Sequence, residues 1–499
     1  MHPMWRQRQL ATSVSCKLLT GLAFLLTVTG SAVAASPTAP VPTQGSRHSS
    51  LPVLRKPAAP FGSIKAQPLA PLKLPQHFEN DPVVVEEQVK QLVQQAIANN
   101  PDLLATHYAA EAASHRVLPA GMPEDPYLGY RMKDLPTTFS MTRENATEKQ
   151  IEVSQRYPFP GKLALREAAA GKQAEVARAD VRIALLRLIT EVRLAFGDIF
   201  VVDKDIQLAL EQRRMLRQLR DIAISKYKLG PGLQQDVLNA DVILAQLNTT
   251  LVELTRRRES RLIRLEILLN TRRVQVEPQG TLPPARLQVP AEHLEEMTLA
   301  SNPVIQRLGR AVERDTLNER LTARAPLPDI LLYLAYGSRN DYPGTTSTVD
   351  GKTTVSGAAV RPDLMTGQIS FDIPIFYFSK QREQLYEAQA TLRRTHARLV
   401  AARDAALGAL HDLLARLAQH EQTALSYQRE VIPLARSEVD AAISAYRVDK
   451  VDFLTLLAAQ DNLEKYQTAY WHNEADRYRD LVEIDEVTGA AINEASATR

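Results

Sequence analysis

One cysteine, two tryptophans and only 20 glycines in 499 residues exclude several classes of protein at once. Cys16 stands alone, so neither a disulfide framework nor a CxxC redox or zinc pair can be built. Glycine is scarce, aromatics make up 6%, and Ala, Leu, Arg, Glu and Gln are abundant, which favours long helices over layered α/β domains. Charge of one sign is lacking too: 60 basic against 57 acidic side chains leave a formal net charge of +3. No strongly basic face is therefore available for nucleic acid. Catalytic signatures are missing as well. The chain has no HExxH, no glycine-rich phosphate loop and no GxSxG elbow, and His107 and His115, or His411 and His420, are too far apart for an i, i+4 metal pair. No cofactor, metal or enzymatic activity is expected.

What is present begins with an export signal. Arg6, Arg8 and Lys17 flank an apolar run at 18–28, and Ala32, Val33 and Ala34 supply the small residues that cleavage near Ala35 requires. Residues 1–35 are predicted to be removed, Cys16 with them. The alternative, a retained membrane anchor, is opposed by a run about half of the ~20 residues needed to span a bilayer. No later stretch approaches that length, so a membrane role must come from β-strands. Residues 36–82, with a proline every few positions, predict an extended tether.

From residue 83 the sequence repeats with a period of about 200 residues. Asn99-Asn100-Pro101 matches Ser301-Asn302-Pro303, Pro126 matches Pro328, the SQRYP run ending at Pro158 matches the SFDIP run ending at Pro374, and Tyr227 with Ala240 matches Tyr446 with Ala459. The first repeat is predicted to span 83–290, with strands at 126–134 and 148–158, a long helix at 161–228 and a return helix at 233–272. The second spans 291–488, with strands at 328–338 and 366–376, a long helix at 380–447 and a return helix at 451–485; a tail at 489–499 follows.

In the strand-like runs Leu128, Tyr130 and Met132, then Ile151, Val153 and Tyr157, then Ile369, Phe371, Ile373 and Ile375 alternate with polar or small residues. Period two places one face in an apolar medium and the other in water, as a barrel wall between lipid and a wet lumen requires. A small soluble hairpin packed on the helices is the other reading. The links at 136–147 and 339–365 are polar and read as exposed loops. In the first long helix Val181, Leu185, Leu188, Val192, Ala195, Ile199, Val202 and Ile206 form a 4,3,4,3 seam, and Leu194, Val201, Leu208, Met215 and Ile222 form a second line on another flank. Two stripes on one helix require two neighbours. The second long helix repeats the heptad with Leu399, Ala406 and Leu413, then Leu410 and Leu417. Four strands cannot close a transmembrane barrel, because two edges would expose unpaired backbone to lipid. Several copies must share one barrel.

With Val431-Ile432-Pro433-Leu434-Ala435 followed by Tyr446, and with Tyr227, Lys228, Leu229, Gly230, Asp236, Val237 and Leu238 at the first tip, the chain resembles the outer-membrane efflux proteins of the TolC type over 83–488. The run Tyr157-Pro158-Phe159-Pro160-Gly161-Lys162 resembles the start of the long helix in the heavy-metal branch of that family. The resemblance implies a mainly α fold with a small β part: duplicated long helical hairpins forming an α-barrel, and four strands per chain contributing to a trimeric twelve-stranded β-barrel. It implies a homotrimer in the outer membrane and its lipid, reaching into the periplasm, docked to a periplasmic adaptor and an inner-membrane pump of the RND type or an ABC transporter. It further implies an entrance at the hairpin tips, with Tyr227 and Asp236 in the first repeat and Tyr446 in the second among the gating positions. Where many members present two acidic residues on the second return helix, this chain has Thr455 and Ala458; Asp449 and Asp452 are the candidates to replace them. Capping of the helix start is the competing role for these aspartates. Leu229, Gly230, Val448 and Lys450 mark the tips expected to meet an adaptor. Two other functions compete. A periplasmic coiled-coil adaptor would carry one hairpin and lack the duplication, and an exported hydrolase would need a nucleophile or acid pair that is not found.

Overall fold

A computed structural model describes residues 87–142, 146–230, 232–274, 276 and 290–489. The expected signal segment, the proline-rich tether and the tail beyond Gly489 lie outside the described residues. Two rounds of one plan follow each other. The first comprises α1 (Glu87–Asn99), α2 (Pro101–His115), α3 (Val117–Ala120), β1 (Tyr127–Lys133), β2 (Glu148–Tyr157), α4 (Lys162–Leu229) and α5 (Gln234–Leu269). The second comprises α6 (Ala291–Ser301), α7 (Pro303–Ala323), β3 (Ile330–Ser338), β4 (Thr345–Val349), β5 (Lys352–Ser356), β6 (Leu364–Phe371), α8 (Gln381–Ser426), a π-helical turn at Tyr427–Val431, α9 (Ile432–Arg447) and α10 (Phe453–Thr488).

The duplication extends to single hydrogen bonds. Asn100 caps α2, its Oδ1 accepting from the backbone N–H of Asp102 and Leu103, while its amide donates to Leu268 O near the end of α5. Asn302 caps α7 in the same way, accepting from Val304 and Ile305 and donating to Val487 O near the end of α10. Each Asn-Pro thus satisfies the orphan donors of a helix start and pins that start to the end of its own return helix. Proline at the first helical position costs nothing there, since its missing N–H would be unpaired anyway.

β1, β2, β3 and β6 form one antiparallel sheet in that order, leaving β1 and β6 as edges. The register sets Leu128 against Val153, Tyr130 against Ile151, Ile151 against Tyr336, Val153 against Leu334, and Leu332 against Ile369. One sheet face is therefore largely apolar, interrupted by Lys149, Gln155 and Gly367. It is also uncovered, Leu332 being 41% and Met365 74% exposed, with the paired apolar residues named above between. β6 ends at Phe371, short of the expected 376, because Pro374 has no N–H to continue the ladder. Ile373 and Ile375 lie past the strand and are exposed. The link expected to be loop throughout contains the β4–β5 hairpin, turned by Asp350 and Gly351, both at positive φ, as a two-residue turn of the tightest kind requires.

α4 is a single helix of 68 residues, roughly 100 Å at 1.5 Å per residue. The expected seam residues Leu185, Leu188, Val192, Ala195, Ile199 and Val202 are buried, and Val181 and Ile206 are partly buried against the same cores. Phe196, Phe200, Leu265, Leu269 and Tyr478 fill the middle of the rod, where α1 and α2 wrap it. Leu216, Leu219, Ala240, Leu247, Val439, Tyr446, Phe453, Leu456 and Leu463 fill the end near the tips. α4 packs on α5 and on α10, and α10 packs on α8 and α9, so α4 and α10 lie inside the row of rods and α5 at its flank. On α5, Leu238, Val242, Val252, Ile263 and Ile267 are each at least half exposed and share one stripe at 3.6 residues per turn. The second rod is not one α-helix: the π-helical turn divides it just ahead of Ile432 and Pro433, and the missing N–H of Pro433 is accommodated at the start of α9.

Candidate functional site

The tips bring together residues from both repeats. α4 ends at Gly230, whose φ of +99° lets its N–H turn back to Tyr227 O, and Gly232 N–H then reaches Lys226 O at 3.1 Å. A Cβ on Gly232 would sit 2.5 Å from the Tyr227 backbone nitrogen, so this turn closes only with glycine. α5 starts two residues on, with Asp236 in its first turn facing the positive end of the helix dipole. In the second hairpin α9 ends at Arg447; Lys450 N–H bonds Ala445 O at 2.9 Å, and Asp449 takes the left-handed φ of 60°. Asp452 caps α10, its Oδ1 accepting from Thr455 N–H at 2.9 Å. These bonds from Thr455 hold the Asp452 carboxyl below the usual aspartate range.

Tyr446 is the centre of the arrangement. Its ring is 4% exposed and packs 5.4 Å from Phe453, and its hydroxyl donates to Asp236 Oδ2 at 3.0 Å. Burial, then the hydrogen bond to Asp236, push its phenol far above the ordinary tyrosine value. Lys226, on the last turns of α4, donates to Tyr446 O at 2.6 Å, sits 4.3 Å above the Tyr446 ring and forms an ion pair with Asp449. Arg220 and Asp241 add a 2.6 Å pair between α4 and α5.

Of the residues expected at the entrance, Asp236, Tyr446 and Asp449 thus belong to one cluster. Tyr227 lies on the exposed side of the last turn of α4, and Asp452 and Thr455 lie on the exposed side of α10 beside Leu454 and Ala458. Leu229, Val448 and Lys450 are exposed at the turns. Lys226 was not singled out from the sequence, although a signal exists: it follows Leu216, Leu219 and Ala223 on the buried seam, where a charge demands a partner. Among the described residues no group of three His, Cys, Asp or Glu is placed to hold a metal ion, and no helix is long and apolar enough to cross a membrane.

No family model matches the sequence, and no curated protein matches it. Solved structures do match the fold. The outer-membrane channel OprN aligns with a TM-score of 0.66 at 20% identity over 81% of this chain and 90% of its own. CusC, solved in a study of folding and transmembrane channel formation, aligns with a TM-score of 0.69 at 16% identity over 86% of this chain and 99% of its own. The open state of the MtrE outer-membrane channel of Neisseria gonorrhoeae aligns with a TM-score of 0.65 at 15% identity over 81% and 89%. This chain has the fold of those channels: long helices with a small β part.

Proposed function

We propose that three copies of this chain form an outer-membrane channel with a periplasmic tunnel, a passive conduit through which a separate pump drives its substrate outward. One observation carries the reading: a four-stranded sheet, apolar and uncovered on one face with two free edges, sits on rods of roughly 100 Å whose outer flank on α5 is also apolar and uncovered. Lipid satisfies the first surface, and only sister copies satisfy the edges, since strands spanning a bilayer must have no open edge. The α5 stripe has the spacing of a second coiled-coil neighbour and meets the next copy.

In this reading the cluster of Lys226, Asp236, Tyr446 and Asp449 holds the two hairpins of a subunit together at the entrance, while Asp452 and Thr455 face the pore. The exposed turns at Leu229, Gly230, Val448 and Lys450 meet the hairpins of a periplasmic adaptor, which links the channel to an inner-membrane pump of the RND type or to an ABC transporter. Cell fractionation tests the proposal. The protein is expected in the outer membrane as a trimer that dissociates on heating; recovery as a water-soluble monomer from the periplasm would reject it.

A further inference from the structure

The face of the sheet opposite the apolar one carries charges that the tips do not explain. Glu148, Gln150 and Glu152 of β2 are buried there. Lys133 stands directly across the β1–β2 ladder from Glu148, with its Nζ 3.0 Å from Glu148 Oε1. Arg131 Nη2 lies 2.7 Å from Glu152 Oε2, which also accepts from the Tyr333 hydroxyl at 2.8 Å. The two signs are not equally placed. The side chains of Arg131 and Lys133 are 56% and 49% exposed, those of Glu152 and Glu148 only 6% and 4%.

Glycine makes this layering possible. Gly129 is the ladder partner of Glu152, and a Cβ on it would lie 2.8 Å from Glu152 Oε1; a Cβ on Gly337 of β3 would collide with the Glu148 carboxylate. The carboxylates therefore lie flat against the wall, over backbone that has no side chain, and the cationic ends stand above them.

We propose that these two ion pairs form a charge-neutralising element of the barrel lumen, in which Arg131 and Lys133 mask the carboxylates of Glu152 and Glu148 from passing ions. The inference rests on the channel reading, which puts this face of the sheet toward the lumen and repeats both pairs in every copy. An ion inside a narrow duct responds chiefly to the charges nearest its path, because low-dielectric walls focus their field. Here the nearest charges are cations, and the carboxylates behind them cancel their net effect. The masked state passes both signs. Removing the mask bares two carboxylates per copy, and removing the carboxylates bares two cations.

Reversal potentials in planar bilayers under a KCl gradient test this with the full-length protein. All arms carry Lys226→Met and Tyr446→Phe, so that the tips are parted and contribute equally to every ratio compared. Arg131→Gln with Lys133→Gln is expected to raise the cation-to-anion permeability ratio about threefold or more, and Glu148→Gln with Glu152→Gln to lower it by a similar factor. Arg131→Lys with Lys133→Arg keeps the charges and should keep the parental ratio. If the Gln pair on β1 prevents assembly, the Glu→Gln pair decides alone by its direction. Parental ratios in the assembled Gln variants would overturn the assignment. A parental protein that forms no pores would instead reject the channel reading beneath it.

Discussion

Replacing Lys226 with methionine keeps the length of the side chain and removes its charge, so it isolates what the ammonium does at the tips. The Nζ donates to a part-buried carbonyl, that of Tyr446, at 2.6 Å, and a hydrogen bond from a charged donor contributes about 1.5–3 kcal/mol. Its ion pair with Asp449, which is 58% exposed, is screened and adds roughly 0.5 kcal/mol. Its position 4.3 Å over the Tyr446 ring adds about 0.5–1 kcal/mol. One ammonium shares all three, so we expect about 2 kcal/mol per subunit, or about 30-fold in the equilibrium between closed and parted tips. Tyr446→Phe keeps the ring and removes only the donor to Asp236, a cost of similar size. Because both changes remove contacts of the same residue, Tyr446, the double variant should fall short of their sum. Hydrogen exchange at the amides of 223–229 and 446–457 reads the local opening directly, and single-channel conductance reads its consequence. Protection there should fall about 30-fold in Lys226→Met, while the core around Phe196 stays protected because opening is local. Unchanged exchange at the tips in both variants would refute the account of how the hairpins are joined.

The two Asn-Pro caps should behave as equivalents: Asn100→Ala and Asn302→Ala are each expected to cost about 1–2 kcal/mol in thermal unfolding, and a large inequality between them would deny that the repeats share this device. Stability should also fall as pH rises through neutrality. Burial, then Asp461 and Asp205, push Glu464 up to about 7, and the hydrogen bond to Asp205 raises His472 above its usual value. Both groups hold protons more tightly when folded, so their stabilisation is complete below their unfolded values and is lost as pH climbs through the folded ones. Melting temperatures of Glu464→Gln and the parent between pH 5 and pH 8.5 should therefore diverge above neutrality, the variant being the more stable; parallel curves would contradict the assignment.

How much of this was legible in the sequence depends on whether a residue's role leaves a period. The rods were, because Leu185, Leu188, Val192 and Ile199 repeat an apolar seam that nothing but a helix of that length explains. The apolar sheet face was, because Leu128, Tyr130 and Met132 alternate with residues of opposite character. The β4–β5 hairpin was not read, although Asp350-Gly351 is a strong turn signal, because its strands are mostly Thr and Ser on both faces and alternation is invisible without contrast. The end of β6 was placed too late for the converse reason: Ile373 and Ile375 continue the alternation past Pro374, where the backbone no longer continues the ladder. The π-helical turn leaves no periodic trace either, since one extra residue in a turn shifts the heptad phase without breaking it.

The tip cluster shows a deeper limit. Asp236, Tyr446 and Asp449 were picked out one at a time, by position, and their partner Lys226 was passed over between a tyrosine and the buried seam. Its role comes from the meeting of two chain segments whose separation in sequence is about the period of the repeat. Asn100 and Leu268 likewise meet across 168 residues, whereas Arg131 and Glu152 meet across only 21, on neighbouring strands. At Lys226 the sequence marks an anomaly, a charge where the seam calls for an apolar residue, and only the fold supplies the groups that satisfy it. A duplicated chain multiplies such meetings, because each half presents the other with a surface of like geometry and different chemistry. Lys226 answers Asp449 across that divide, whereas the first tip, closed by Gly230 and Gly232, offers no acid at the matching turn. The tips are therefore two unlike hairpins, and the charged contact between them is where the two repeats have diverged.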